Sequence, residues 1–201
     1  MRWSSVPVVV VAVLALLTQL AQLAALSYST YAEGRSHERP LAPATLKAAK
    51  IAAQLAPWDA DGLALNGWLL HQSAQQAAGR AAYAQALRLS PADPYRWLEW
   101  GRLQLGCAGC YRELNHSEDQ LGQLAAQSYP ANLQLAALGL SSWPLGNSDS
   151  RRAWRKSLRL VLDVAPAASE DYFRHAGIAL DACLELPTEF PQLGPVCHAR
   201  R

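Results

Sequence analysis

The motif Cys107-Ala-Gly-Cys110 is the place in this sequence where residue types and spacing could support chemistry. Two thiols at this spacing can form a structural disulfide or a redox-active pair, can stay free, or can supply half of a zinc site with His116 close by. A c-type haem is excluded because Tyr111 stands where that motif requires His. A thioredoxin-like pair needs a strand that leads into a helix, which the helical pattern of this chain does not supply. We therefore favour the structural disulfide.

The other two cysteines, Cys183 and Cys197, make the total even, which suits an oxidising compartment. We predict that they pair with each other and that Cys107 pairs with Cys110. The Cys183–Cys197 pair would tie down the proline-rich C-terminal tail, 187–201. We expect its prolines to keep the stretch from Leu186 to Pro195 from being helical.

The remaining candidates for catalysis are five scattered histidines, and no two of them stand at i and i+4 on one helix. They are His37, His71, His116, His175 and His198. No motif for a nucleophilic serine, a metalloprotease, a dinucleotide or a nucleoside triphosphate occurs. We therefore expect no catalytic site, no metal site and no cofactor, and we predict that the chain is not an enzyme.

The composition predicts a folded chain made of helices. The sequence is 51% hydrophobic and 17% charged, against about 25% charged in ordinary domains, so intrinsic disorder is excluded. Beyond residue 27 only five aliphatic β-branched residues remain, and sheets depend on such residues: Ile51, Val161, Val164, Ile178 and Val196. The net charge of +2 is too small to indicate nucleic acid as a partner.

Residues 1–32 are predicted to form a signal anchor that crosses the membrane once. Val6 to Leu26 is nearly all apolar and would be about 31 Å long as a helix, which is the thickness of a bilayer core. A cleaved signal peptide is the alternative. The basic residues after this segment favour a cytosolic C-terminal domain, whereas the cysteines favour the outer side of the inner membrane. We choose the outer side.

After a polar linker at 33–45, four Ala- and Leu-rich segments each end at a proline. The prolines are Pro57, Pro91, Pro130 and Pro166, at spacings of 34, 39 and 36 residues. A period of this length indicates stacked helical hairpins over 46–186, since no single unit can bury its apolar face alone. The pattern predicts paired helices at 62–72 and 77–89, a further pair at Leu133–Trp143 and Arg151–Val164, and a terminal helix at Glu170–Leu186.

The first full unit resembles the tetratricopeptide repeat family. Counted from Ala60, seven residues fall at the characteristic positions of that repeat: Leu63, Gly67, Leu70, Gly79, Tyr83, Ala86 and Pro91. The second unit, from Pro94, offers Trp97, Trp100 and Gly101 in its first helix, with Ala125 and Pro130 closing its second. In the third unit Gly139 is off register by one. The resemblance implies a right-handed superhelix of antiparallel hairpins.

The same resemblance implies that a protein partner binds in the concave groove of the superhelix. Carried onto this chain, the groove positions that would contact the partner are Trp68, His71, Tyr95, Leu98, Arg102 and Gln134. Tyr, Trp and Arg are the residue types that dominate interface energetics.

Five cations within nine residues predict an amphipathic helix with a basic outer face. They are Arg151, Arg152, Arg155, Lys156 and Arg159, opposite an apolar stripe of Trp154, Leu158 and Leu162. Two interpretations stay open, a solvated face and a site for anionic lipid or acidic polysaccharide.

The sequence thus predicts a membrane-anchored scaffold in the bacterial inner membrane with a periplasmic repeat domain. Only three Lys beside abundant Ala, Leu and Arg indicates a GC-rich bacterial genome. The resemblance implies a role in envelope assembly, in exopolysaccharide or O-antigen biosynthesis first and in pilus or secretion-complex assembly second. An accessory role in thiol or haem delivery through the Cys107–Cys110 pair is the alternative from another class.

Overall fold

A computed structural model of the chain describes residues 6–105, 107, 110–124, 126 and 128–198. Over these residues it contains eleven α-helices, three short 3-10 helices and no β-strand, so the prediction of an all-α fold is confirmed. Two compact units make up the chain, one that ends at Ser90 and one that begins at Pro91.

The first unit consists of two helical hairpins. Its helices are α1 (Val6–Ser36), α2 (Pro43–Leu55), α3 (Ala60–Gln72) and α4 (Gln76–Leu89). Helix α1 packs chiefly against α2, and α3 packs chiefly against α4. The predicted helices 62–72 and 77–89 thus agree with α3 and α4 to within two residues.

Helix α1 is both the apolar segment and the first helix of a hairpin. It is long and apolar enough to cross a membrane, and its side chains from Val9 to Leu20 are all exposed. From Ala25 onward the helix packs on α2, and Ala32 is completely buried. It continues to Ser36, and α2 begins at Pro43, so both helices extend into the segment that we interpreted as a linker.

The closest approach between α3 and α4 is made by two glycines. A Cβ atom on Gly67 would lie 2.9 Å from the Gly79 carbonyl oxygen and 2.9 Å from the Tyr83 amide nitrogen. A Cβ on Gly79 would lie 2.7 Å from the Gly67 carbonyl oxygen. These distances are shorter than any side chain tolerates, so the two backbones can meet only where both residues lack a Cβ. The predicted packing role of Gly67 is confirmed.

Side-chain caps begin several of the helices. The Asp59 carboxylate accepts a hydrogen bond from the Asp61 amide at 3.0 Å, and the Asp93 carboxylate accepts one from the Tyr95 amide at 2.9 Å. Asn147 caps α8 in the same way. Such caps satisfy amide groups that have no partner inside the helix and stabilise it by about 1 kcal/mol.

The four repeated prolines occupy two different positions relative to the helices. Pro57 and Pro91 follow the ends of α2 and α4 by two residues. Pro130 and Pro166 instead lie in the first turn of the next helix, where a missing N–H costs nothing.

The second unit contains two hairpins and a C-terminal set of short helices. Its helices are α5 (Pro94–Gln104), α6 (Tyr111–Leu124), α7 (Tyr129–Ser142), α8 (Ser148–Val164), α9 (Pro166–Ala176), α10 (Leu180–Glu185) and α11 (Gly194–His198). As in the first unit, a glycine on the first helix of each hairpin lets the second helix pack close to it. A Cβ on Gly101 would lie 2.8 Å from the Ser117 hydroxyl oxygen, and one on Gly139 would overlap the Trp154 ring. Gly139 therefore has a close-packing role although its register differs by one residue.

Trp154 lies at the centre of the second unit. It is 1% exposed, and its ring centroid lies 5.7 Å from that of Trp143. The ring also occupies the space that a Cβ on Gly146 would need. Leu158 and Leu162 are buried on the same side of α8, so the predicted apolar stripe is confirmed.

The C-terminal region departs from the prediction at two points. The helix predicted over Glu170–Leu186 is wrong, because the chain breaks at Gly177, whose positive φ of 87° ends α9. The expectation of a non-helical tail is also wrong. Pro187, Pro191 and Pro195 each lie near the start of a short helical turn, where proline is well tolerated, in the segments Leu186–Thr188, Pro191–Leu193 and Gly194–His198.

The tail also belongs to the core. Phe190, Leu193 and Val196 are each at most 5% exposed and join the same buried cluster as Trp154. Burying side chains of this size stabilises a fold by about 1.5 to 3 kcal/mol each. Apolar packing therefore holds the tail in addition to any covalent link.

The glycine contact in the first unit leads to a stability prediction. We expect Gly67→Ala to lower the free energy of unfolding by about 1 to 3 kcal/mol, because the new methyl group must displace backbone atoms of α4. Gly34→Ala, in α1, is the matched control, since nothing lies within 4 Å of its added Cβ. Urea unfolding in detergent, followed by circular dichroism, measures both. Equal stability of the two variants would contradict the assigned packing.

Candidate functional site

The outer face of α5 carries the best-exposed of the predicted partner-binding residues. Tyr95 is 45% exposed, and Arg102 is exposed beside Glu99, with which it forms an ion pair. The three residues follow one another at i, i+4 and i+7, so they lie along one side of the helix. We call Tyr95, Glu99 and Arg102 the α5 stripe. It combines an amphipathic ring with both signs of charge, a combination suited to contact with another protein.

The prediction that Leu98 contacts a partner is wrong. Leu98 is 1% exposed and belongs to the core of the second unit. It lies about 60° around the helix from Tyr95, which is enough to turn its side chain from the surface into the core. Gln134, the remaining candidate in this unit, is half-buried on α7.

In the first unit the predicted residues Trp68 and His71 are both half-buried on α3. Trp68 packs against a small cluster of Ala32, Ala48, Ala49 and Leu69, and so supports the contact of α3 with α1 and α2. The His71 Nδ1 atom is buried without a hydrogen-bond partner among the described residues. Burial lowers the pKa of His71, and the nearby Arg80 guanidinium lowers it further, so its imidazole is neutral at pH 7.

The basic face of α8 contacts the protein's own C-terminal region. Glu189 accepts hydrogen bonds from Arg155 at 3.0 Å and from Arg159 at 2.9 Å, and Glu185 lies 3.4 Å from Arg151. The two remaining cations, Arg152 and Lys156, are exposed, and Arg152 pairs with Asp149 of its own helix at 3.4 Å. Four of the five cations therefore have a carboxylate partner within the chain, three of them in the C-terminal region and one on α8 itself.

Aromatic rings also take part in this contact between α8 and the C-terminal region, which here means α10 and the tail. The Trp143 indole N–H donates to Glu185 at 2.9 Å, and the guanidinium groups of Arg151 and Arg155 lie 5.3 and 5.1 Å from the Trp143 ring centroid. Arg159 lies 5.8 Å from the ring of Phe190. Guanidinium groups at such distances from aromatic rings are attracted to them.

The sequence contains a signal for this contact in the spacing of its charges. Glu185 and Glu189 stand four residues apart, as do Arg151, Arg155 and Arg159. Two sets of opposite charge with matching spacing indicate complementary surfaces.

A small pocket of about 250 Å³ with several polar side chains in its walls lies between α6, α7 and α8. Its walls include Glu118, Asn132, Lys156 and Ser157, and the Ser157 hydroxyl donates to the Asn132 side-chain oxygen at 2.7 Å. Glu118 is 1% exposed, and neither of its carboxyl oxygens has a hydrogen-bond partner among the described residues. Nothing in the sequence indicates the burial of Glu118, because a single Glu in an amphipathic helix carries no signal of it.

Burial raises the pKa of Glu118 to about 7, and the neighbouring Asp119 carboxylate acts in the same direction. The Ser150 hydroxyl and the Trp154 indole lie close to the carboxyl and lower its pKa, although neither reaches it at hydrogen-bonding geometry. Glu118 is therefore a buried carboxyl that is about half protonated at neutral pH.

The four cysteines lie in the two predicted pairs. The Cα atoms are 5.4 Å apart for Cys107 and Cys110 and 5.5 Å apart for Cys183 and Cys197, and both pairs are at disulfide-bonding distance. The first pair lies in the connection between α5 and α6. His116, considered above as a zinc ligand, is exposed and packs edge-on against Trp97 at 5.3 Å between ring centroids. No cluster of three or more metal-ligating side chains occurs in the described part of the chain.

Comparison with known proteins gives no family assignment. The sequence matches no protein-family model and none of the curated proteins.

The ion pairs of α8 with Glu185 and Glu189 lead to a prediction about heparin binding by the basic face. We expect Glu185→Gln combined with Glu189→Gln to raise the salt concentration needed for elution from heparin, because Arg151, Arg155 and Arg159 lose their internal carboxylates. The control, Glu113→Gln combined with Glu170→Gln, removes two charges from α6 and α9, away from the contact with α8. Equal elution of the two variants would contradict a basic face covered by the tail.

The buried carboxyl of Glu118 predicts that stability falls as pH rises. Its pKa is about 7 in the folded chain against 4.5 for a free side chain, so between these values the folded state binds more protons than the unfolded state. The free energy of unfolding should therefore decrease by about 3 kcal/mol from pH 4.5 to above pH 7 through this group. Glu118→Gln should remove that decrease, whereas the exposed control Asp163→Asn should keep it. Urea unfolding at pH 5 and pH 8 provides the comparison.

Proposed function

We propose that this protein is a scaffold anchored in the bacterial inner membrane by α1, which binds a protein partner through the α5 stripe. The observation that carries the proposal is the division of α5 into two faces. One face is buried through Leu98, Gly101 and Leu103, while Tyr95 and Arg102 are exposed on the other. Tyr and Arg side chains in such a position supply most of the binding energy in protein interfaces.

The hairpin α3–α4 supports the proposed similarity to the tetratricopeptide repeat family. Gly67 and Gly79 stand at small-residue positions of that repeat and meet across the hairpin, as its packing requires. Gly101 takes the equivalent place in the next hairpin, against Ser117. On this basis we propose a right-handed superhelix of hairpins, with the concave groove as the partner site.

We place the second unit on the periplasmic side of the membrane. Both cysteine pairs are at disulfide distance, and disulfides persist in oxidising compartments. Single-span helical-repeat proteins of this size accompany the assembly of exopolysaccharide or O-antigen, and we propose that process first, with pilus or secretion-complex assembly second. The proposed activity is binding and not catalysis.

The test is capture of the partner from native membranes. We expect the tagged full-length chain, solubilised from its own host, to retain a partner identified by mass spectrometry. Tyr95→Ala and Arg102→Ala should each lose that partner while their melting temperatures stay within a few degrees of the wild type. Arg112→Ala, an exposed cation on α6, is the control and should retain it. Retention of the partner by both α5 variants would contradict the proposed site.

A further inference from the structure

The turn between α2 and α3 lies at the level where the apolar part of α1 ends. A connection of six residues, 37–42, joins α1 to α2, so the two helices run antiparallel and α2 returns along α1. Their register is given by a surface groove in which Ser27, Tyr28 and Tyr31 of α1 lie beside Lys47 and Ile51 of α2. Leu55 comes one turn after Ile51, so the end of α2 lies near residues 23–26 of α1.

Exposed apolar side chains collect at this end of the first unit. Leu23 and Leu26 of α1 are 62% and 64% exposed, and Trp58, in the turn after α2, is 51% exposed. The end of α4 lies at the same turn, because the Gln85 side-chain amide donates to the Pro57 carbonyl oxygen at 3.4 Å. Leu89, the last residue of α4, is also 45% exposed.

The charges around Trp58 indicate what kind of surface this turn can meet. Asp59 follows it and caps α3, and Asp61 is exposed, so the turn offers no attraction to anionic headgroups. Lys50 and Arg88, both exposed, are the nearest cations in sequence on α2 and α4. Contact with a bilayer would therefore depend on apolar and aromatic area, and Trp is the side chain most enriched where the acyl chains meet the headgroups.

We propose that the α2–α3 turn is a membrane-interface contact, with Trp58 inserted among the lipid headgroups beside the end of the α1 span. The inference rests on the proposed function, because it takes α1 as the membrane-spanning helix. The main support for this contact is that α2 packs directly on the helix that we propose to span the membrane. With the apolar segment Val6 to Leu26 of α1 in the bilayer core, the end of α2, beside residues 23–26, lies at the border of that core because α2 packs on the same helix. We expect the exposed ring of Tyr28, on α1, to contact the headgroups as well.

The experiment uses bromine quenching in vesicles. The full-length chain carrying Trp3→Phe, which removes a second tryptophan next to the span, is reconstituted in phosphatidylcholine with and without bromine at the upper acyl carbons. We expect the bromolipid to reduce the tryptophan emission, and Trp58→Phe to abolish most of that reduction. Trp68→Phe is the matched control, since Trp68 lies ten residues further along the chain on α3, about 12 Å beyond the first residue of that helix, and should leave the reduction intact.

Each outcome decides the proposal. Loss of quenching in Trp58→Phe alone supports it, and the same loss in vesicles with phosphatidylglycerol supports an apolar rather than an electrostatic contact. Equal quenching of all variants in protein that stays membrane-bound after alkaline carbonate overturns the contact and leaves the anchor. Release of the protein by carbonate overturns the anchor and this contact together.

Discussion

The distance between α3 and α4 is set by two residues that have no side chain. Gly67 and Gly79 bring backbone atoms of the two helices together. Tyr83 can cover Gly67 because α3 and α4 are this close, while Leu69, on another side of α3, packs with Ala32, Ala48 and Ala49 of α1 and α2. In the second unit, Gly101 and Gly139 give a similar close approach to a hydroxyl and to an indole ring, so hairpins of different composition share one geometric requirement.

Local signals in the sequence were sufficient to predict most of the helices and the pairing of the cysteines. Pro57 and Pro91 marked the ends of two helices, and the small residues at 67 and 101 marked close approaches between helices. The charge spacing on α8 predicted its two faces. These features are local, because each depends on residues within one or two turns of the chain.

Long-range contacts in the same chain were not predictable. The apolar segment of α1 indicated a membrane span, and nothing in it indicated that Ala25 and Ala32 would also pack on α2. The tail was expected to depend on Cys183 and Cys197, yet Phe190 and Leu193 hold it in the core. The burial of Leu98 was also not predictable from the repeat register. A rotation of about 60° around α5 is enough to separate its core position from the surface position of Tyr95.

The continuity of α1 with the first hairpin determines how the protein meets its surroundings. A repeat domain on a flexible linker would tumble above the bilayer, and each encounter with a partner would first have to arrest that rotation. If α1 crosses the membrane as we propose, its packing on α2 holds that hairpin at a fixed tilt to the bilayer. A partner embedded in the same membrane would then meet the α1–α2 hairpin in one orientation, and less rotational entropy would be lost when the two associate.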